Sequence, residues 1–216
     1  MRPAVSISPL TSVTILRAHS VAEVQLFLIL TPCPACGMVA QRPRGGVVAP
    51  NANHDDFRLY AACARCLRDY PSVFVIDPPP RRGPGGGTMA INPTERPSEI
   101  IDLAGWITLY RHITERVWRE MDKHTARRLA WEAGLCLDEA LKFYLARENF
   151  PPESAFFSSR SLVTFRANRA QFDRRIVLHH RSQAPQLTDV ETRMDGEHER
   201  SWWRFWQKHV EPRARL

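Results

Sequence analysis

Five cysteines, Cys33, Cys36, Cys63, Cys66 and Cys136, are the side chains of this sequence best suited to chemistry, and four of them form two C-x-x-C pairs. Two residues between thiols let one tight turn aim both sulfurs at a single ion, and two such turns complete the tetrahedral all-thiolate set that Zn(II) prefers. The first turn reads Thr31-Pro32-Cys33-Pro34-Ala35-Cys36-Gly37. Pro34 fixes φ inside it, and Gly37 can supply the positive φ that points backbone amides back at the sulfurs. The second turn reads Cys63-Ala64-Arg65-Cys66-Leu67. A closed four-thiolate set has no coordination position left for water, so the expected ion is a structural Zn(II) and no catalytic residue is assigned. His54, the one histidine near the cysteines, leaves open a set of three cysteines and one histidine. Two disulfides or a redox pair would also employ paired thiols, and an intracellular setting disfavours both.

The first turn resembles the knuckle of the zinc-ribbon superfamily, and the resemblance covers about Val24 to Asp77. It implies a small β unit held together by Cys33, Cys36, Cys63 and Cys66. Two departures stand out. Leu67 occupies the place where the family often has Gly, and the gap between the pairs exceeds the roughly 15–20 residues of a compact ribbon. Strands are expected over Val24 to Thr31, Phe57 to Ala62 and Val73 to Asp77, with Arg42 to Asp56 as a long hairpin loop marked by Pro43, Gly45, Gly46, Pro50 and Asn53.

The elements around this segment give an α+β chain, a small N-terminal β zinc ribbon followed by an α-helical domain built on an antiparallel helical hairpin. Residues 1–23 are expected to be poorly ordered, 24–77 form the ribbon, 78–97 a Pro/Gly-rich linker, 98–185 the helical domain and 186–216 a polar tail with a Trp-rich helix. Ser98 is the expected N-cap of the first helix, whose apolar seam runs Ile100, Leu103, Ile107, Tyr110, Val117 and Met121, with Thr114 at the polar step. A second seam runs Ala126, Leu129, Ala133, Cys136, Ala140 and Phe143. Continuing the first seam past Met121 would turn His124, Arg128 and Asp138 inward, so the chain must turn near Asp122 to Thr125. Cys136 then reads as a small buried hydrophobe. His112 and Glu115 share one face, but a single His-x-x-Glu step without a second on a facing helix holds no metal.

Charge and aromatics point to partners. The net charge is +7, and the excess is almost all arginine, because Lys123, Lys142 and Lys208 are the only lysines. Arg160, Arg166, Arg169, Arg174, Arg175 and Arg181 lie within 151–185 against only Glu153 and Asp173. Interleaved with Phe165, Phe172, His179 and His180, they could grip phosphate and stack bases. The plainer reading packs Phe156, Leu162, Phe165, Phe172, Ile176 and Leu178 on the helices and leaves the arginines as a solvated face. In a helix, Trp202, Trp206 and either Trp203 or Val210 form one stripe that either docks on the body or reaches a partner, with Trp202, Trp203 and Trp206 the candidate partner contacts. Ordinary composition, with 44% hydrophobic and 25% charged residues, excludes global disorder, and no apolar run approaches the ~20 residues of a membrane helix. With no secretory signal legible, the cytoplasm is the expected compartment. The expectation is a non-catalytic protein-interaction or adaptor module with an unidentified protein partner, nucleic-acid binding through the ribbon and the Arg-rich face being the alternative.

Overall fold

The computed structural model describes residues 14–39, 41–50, 55–76 and 91–184. The fold is α+β, and the chain divides into two compact units, Met1–Ile101 and Asp102–Leu216. Among the described residues no helix is long and apolar enough to cross a membrane.

The first unit contains β1 (Thr14–Ala18), α1 (Val21–Leu30), β2 (Gln41–Pro50), β3 (Asp55–Cys63) and β4 (Ser72–Ile76). The strands form one sheet in the order β1-β4-β3-β2. The β2–β3 and β3–β4 pairs are antiparallel, and β1 runs parallel to β4. Three expectations are corrected here, the first being the hairpin loop over Arg42 to Asp56, most of which is strand, because β2 runs Gln41–Pro50 and β3 begins at Asp55. The N-terminal segment is not wholly without order, since Thr14–Ala18 pairs with Ser72–Ile76 along its whole length. The segment expected as a strand over Val24 to Thr31 is instead the helix α1. A continuous apolar run does not distinguish buried strand from buried helix, and capping decides it. The Ser20 hydroxyl accepts from the Glu23 amide at 3.0 Å, and the Glu23 carboxylate accepts from the His19 amide at 2.5 Å, a variant of the S-x-x-E capping box.

α1 packs on one face of the sheet. The Phe27 ring meets Phe74 edge-on at 5.6 Å and Tyr70 at 6.3 Å, while Tyr70 and Phe74 stack at 5.8 Å. Val24, Leu26 and Leu28 from the helix and Leu59, Ala61 and Phe74 from the strands are buried. Much of the expected linker lies outside the described residues, but 91–97 turn tightly. The Asn92 amide group donates to the Arg96 carbonyl at 2.7 Å, and its oxygen accepts from the Thr94 amide at 2.9 Å. Ser20 donates to the Ile91 carbonyl, so this turn belongs with the first unit.

The second unit is built on α2 (Leu103–Arg119) and α3 (Lys123–Leu141), joined by only three residues and packed along each other. The helix starts are set by aspartates. Asp102 accepts from the Gly105 amide at 2.8 Å and Asp122 from the Thr125 amide at 2.8 Å. Ser98, expected as the first cap, instead holds the Ile100 and Ile101 amides in a local turn one step earlier. The second seam is buried at every expected position, Ala126, Leu129, Ala133, Cys136, Ala140 and Phe143. The first holds from Leu103 to Val117, but Met121 is 88% exposed because α2 ends before it. α4 (Ser159–Ala167) and α5 (Arg174–Ser182) complete the unit around a cluster in which Phe156 and Phe165 stack at 4.4 Å and Phe172 meets both edge-on. On α5 it is Val177 that is buried. Ile176 and Leu178, expected inward, flank it and lie partly open.

Candidate metal centre

Each cysteine pair is delivered by a turn of the same construction. In the first, the Cys33 amide donates to the Met38 carbonyl at 2.9 Å and the Gly37 amide to the Cys33 carbonyl at 2.8 Å. In the second, the Cys63 amide donates to the Arg68 carbonyl at 2.9 Å and the Leu67 amide to the Cys63 carbonyl at 2.9 Å. The two knuckles therefore match bond for bond although the cysteines themselves, Cys33 and Cys36 against Cys63 and Cys66, are the only residue types they share in register. One follows the end of α1, where Thr31 closes the helix by donating through its amide and hydroxyl to the Phe27 carbonyl at 3.1 and 2.9 Å. The other continues directly from β3, which ends at Cys63. Gln41, at the start of β2, donates to the Thr31 carbonyl at 2.5 Å and ties the first knuckle to the sheet.

The four sulfurs all lie within 4.8 Å of one another. Facing pairs across the knuckles, Cys33 with Cys66 and Cys36 with Cys63, are separated by 3.7 Å. Sulfurs at ~2.3 Å from a tetrahedral ion stand about 3.8 Å apart, whereas a disulfide needs ~2.05 Å, so the spacing fits a metal and not a bond. All five cysteines are free thiols. This geometry is compatible with a zinc-ribbon-like site and could hold an ion such as zinc.

The thiol electrostatics agree with that fit. Backbone amides of Cys66 and Arg65 aim at the Cys63 sulfur and, with hydrogen bonds from Cys36 and Cys66, outweigh burial and bring its pKa down to about 6. For Cys36 the Met38 amide acts downward, but burial and hydrogen bonding with the other three cysteines prevail and push it up to about 11. One thiolate forms easily and the next is opposed by the charge already present. A divalent cation at the centre would remove that opposition between Cys36 and Cys63.

Of the other expected site residues, the described arginines mostly engage acids or rings of their own unit. Arg166 holds Glu153 through two hydrogen bonds of 2.9 and 2.7 Å, Arg175 holds Asp173, and Arg181 holds Asp138 at 2.7 and 3.1 Å. The Arg169 guanidinium lies 4.6 Å from the centre of the Phe150 ring. Arg160 is exposed on α4, and Arg174 is half-buried at the start of α5. Cys136 is fully buried in α3, its thiol pushed well above the ordinary range by burial and then by the charges of Glu132, Glu139 and Asp138. Glu115 bonds Arg119 at 2.5 Å rather than joining His112. His54, Trp202, Trp203 and Trp206 lie outside the described residues. Among the described residues the four cysteines are the only cluster of three or more metal-ligating side chains.

No protein-family model, curated protein or solved structure matches this chain.

Proposed function

We propose that this protein is a non-catalytic interaction module, an adaptor whose first unit is folded by one structural Zn(II) bound to Cys33, Cys36, Cys63 and Cys66. The observation that carries the reading is the 3.7 Å spacing of the facing sulfurs, within the set that places all four inside 4.8 Å. Four thiolates fill the tetrahedron and leave no position for substrate or water, so the ion supplies folding energy, on the order of 10 kcal/mol in small zinc domains. The resemblance of the knuckles to those of zinc ribbons supports the same choice of ion. The two-unit architecture lets one unit be held by metal while the other is held by an apolar core, an arrangement suited to joining two partners.

Elemental analysis of protein purified without chelators tests the metal, with one zinc per chain expected. Affinity capture by loaded protein, repeated after chelation, tests the adaptor role. A partner recovered only by the loaded form supports it, whereas metal-free protein with an intact sheet refutes the structural role of zinc.

A further inference from the structure

Alternation along β3 puts Leu59, Ala61 and Cys63 on the buried face, and Arg58, Tyr60 and Ala62 on the other. Pairing with β2 sets Arg42 across from Ala62 and Gly45 across from Tyr60. Nothing lies within 4 Å of where a Gly45 side chain would begin, so the β2 flank of Tyr60 is bare, and the residue is 42% exposed. Arg42 and Arg58 are exposed on the same face, with no carboxylate partner among the described residues. Past Ala62 the face opens into a depression lined by Arg42, Arg44, Ala62, Ala64 and Leu67. Arg65 and Arg68 stand exposed on the adjoining knuckle, and among the described residues only Arg44 of this group is held by an acid, Asp69 at 2.7 Å.

The contrast with the second unit is chemical. There, the guanidinium groups of Arg166, Arg175 and Arg181 are engaged by carboxylates. On the β2–β3 face Arg42 and Arg58 have no acid partner among the described residues, and Tyr60 lies between them in the strand register. From Arg58 to Ala62 the strip is about 13 Å long, which spans a few nucleotides of an extended strand. We propose that this face binds single-stranded nucleic acid, Tyr60 stacking on a base and Arg42 and Arg58 contacting phosphates. A ring lying on a sheet surface reaches an unpaired base, while a duplex keeps its bases stacked inside. The proposal rests on the reading of this unit as a zinc-folded binding module and supplies the chemistry of one of its partners.

The test is fluorescence anisotropy of the zinc-loaded full chain with a labelled 12-nucleotide oligodeoxythymidylate at ~50 and ~200 mM salt. The two phosphate contacts give a log–log salt slope of about −1.4 for a single strand. Tyr60→Leu should weaken binding about tenfold while Tyr60→Trp retains it. Arg42→Gln with Arg58→Gln should flatten the slope by about 1.4. Arg160→Gln with Arg174→Gln should change neither quantity. Zinc content and far-ultraviolet circular dichroism accompany every variant, and Tyr60→Thr, a strand former without a ring, replaces Tyr60→Leu if that variant misfolds. Unchanged affinity in the ringless variant, tighter binding to a duplex of equal length, or equal displacement by poly-glutamate each overturns the proposal. So does absence of binding by zinc-loaded, folded protein, which leaves the structural role of zinc standing; a folded chain without zinc overturns that role instead.

Discussion

Leu67 and Gly37 occupy equivalent places in the two knuckles, and Leu67 adopts at φ 59° the left-handed backbone that Gly37 adopts at 71°. For a side chain with a Cβ this conformation costs about 1–2 kcal/mol, and Leu67 recovers little by packing, being 77% exposed. Leu67→Gly should therefore stabilise the first unit by up to about 1 kcal/mol after the entropy of an added glycine, and Gly37→Ala should destabilise it by about 1–2 kcal/mol. Denaturant unfolding of zinc-loaded protein measures both, and opposite signs for the two substitutions are the expected result.

Removing a ligand should act on one unit alone. Cys63→Ser is expected to abolish stoichiometric zinc and unfold the sheet, while the helical signal of 103–184 persists, because the residues of that unit form their own buried core. Circular dichroism with zinc analysis reads both effects, and simultaneous loss of the α2–α3 core would mean a single cooperative unit.

The α2–α3 contact is close because Ala126, Ala133 and Ala140 carry small side chains at 0% exposure. Ala133→Leu should destabilise the second unit by roughly 1–3 kcal/mol through overpacking. Thermal unfolding monitored in the helical signal checks the magnitude, and wild-type stability would show that the helices can part without cost.

Acid should weaken the second unit through its capping aspartates. Thr125 lowers the pKa of Asp122 through side-chain and amide hydrogen bonds, and Arg175 does the same for Asp173 at the start of α5. A folded value below the unfolded value of about 3.9 means that the stabilisation is complete above that pH and is lost as pH falls through the folded value. Thermal scans between pH 5 and 2 should show this loss, and Asp122→Asn with Asp173→Asn should show less of it, since asparagine caps without titrating.

The cysteine cluster and the α3 seam were legible in the sequence for the same reason. Each is a short-range spacing whose geometry is local: two residues between thiols, three or four between small apolar side chains. α1 was not legible by periodicity, because Val24 to Leu30 is apolar on every side; the usable signal was Ser20 followed by Glu23, a cap that precedes the run. β1 carried a local cue in its β-branched Thr14 and Ile15, but its place as a parallel edge strand is defined by a partner far along the chain. On α5, three successive apolar residues, Ile176, Val177 and Leu178, cannot all face inward, and packing selected the middle one. The sheet face with Tyr60 was implicit in the alternation from Arg58 to Ala62, but its openness depends on Gly45 being the cross-strand neighbour, a matter of register.

The parallel pairing of β1 with β4 joins residues roughly 58 positions apart, Thr14 with Ser72, and both knuckles lie on the chain between them. Such a contact is slow to find, because a long loop must close before any ladder forms. A cross-link between Cys33 and Cys66 through a bound ion would shorten the loop still to be closed to about 25 residues and lower its entropic cost by roughly 0.7 kcal/mol. Metal capture ahead of strand docking would then be the faster route, and the refolding rate of the sheet, not only its final stability, is expected to depend on how much free zinc is present when the chain begins to fold.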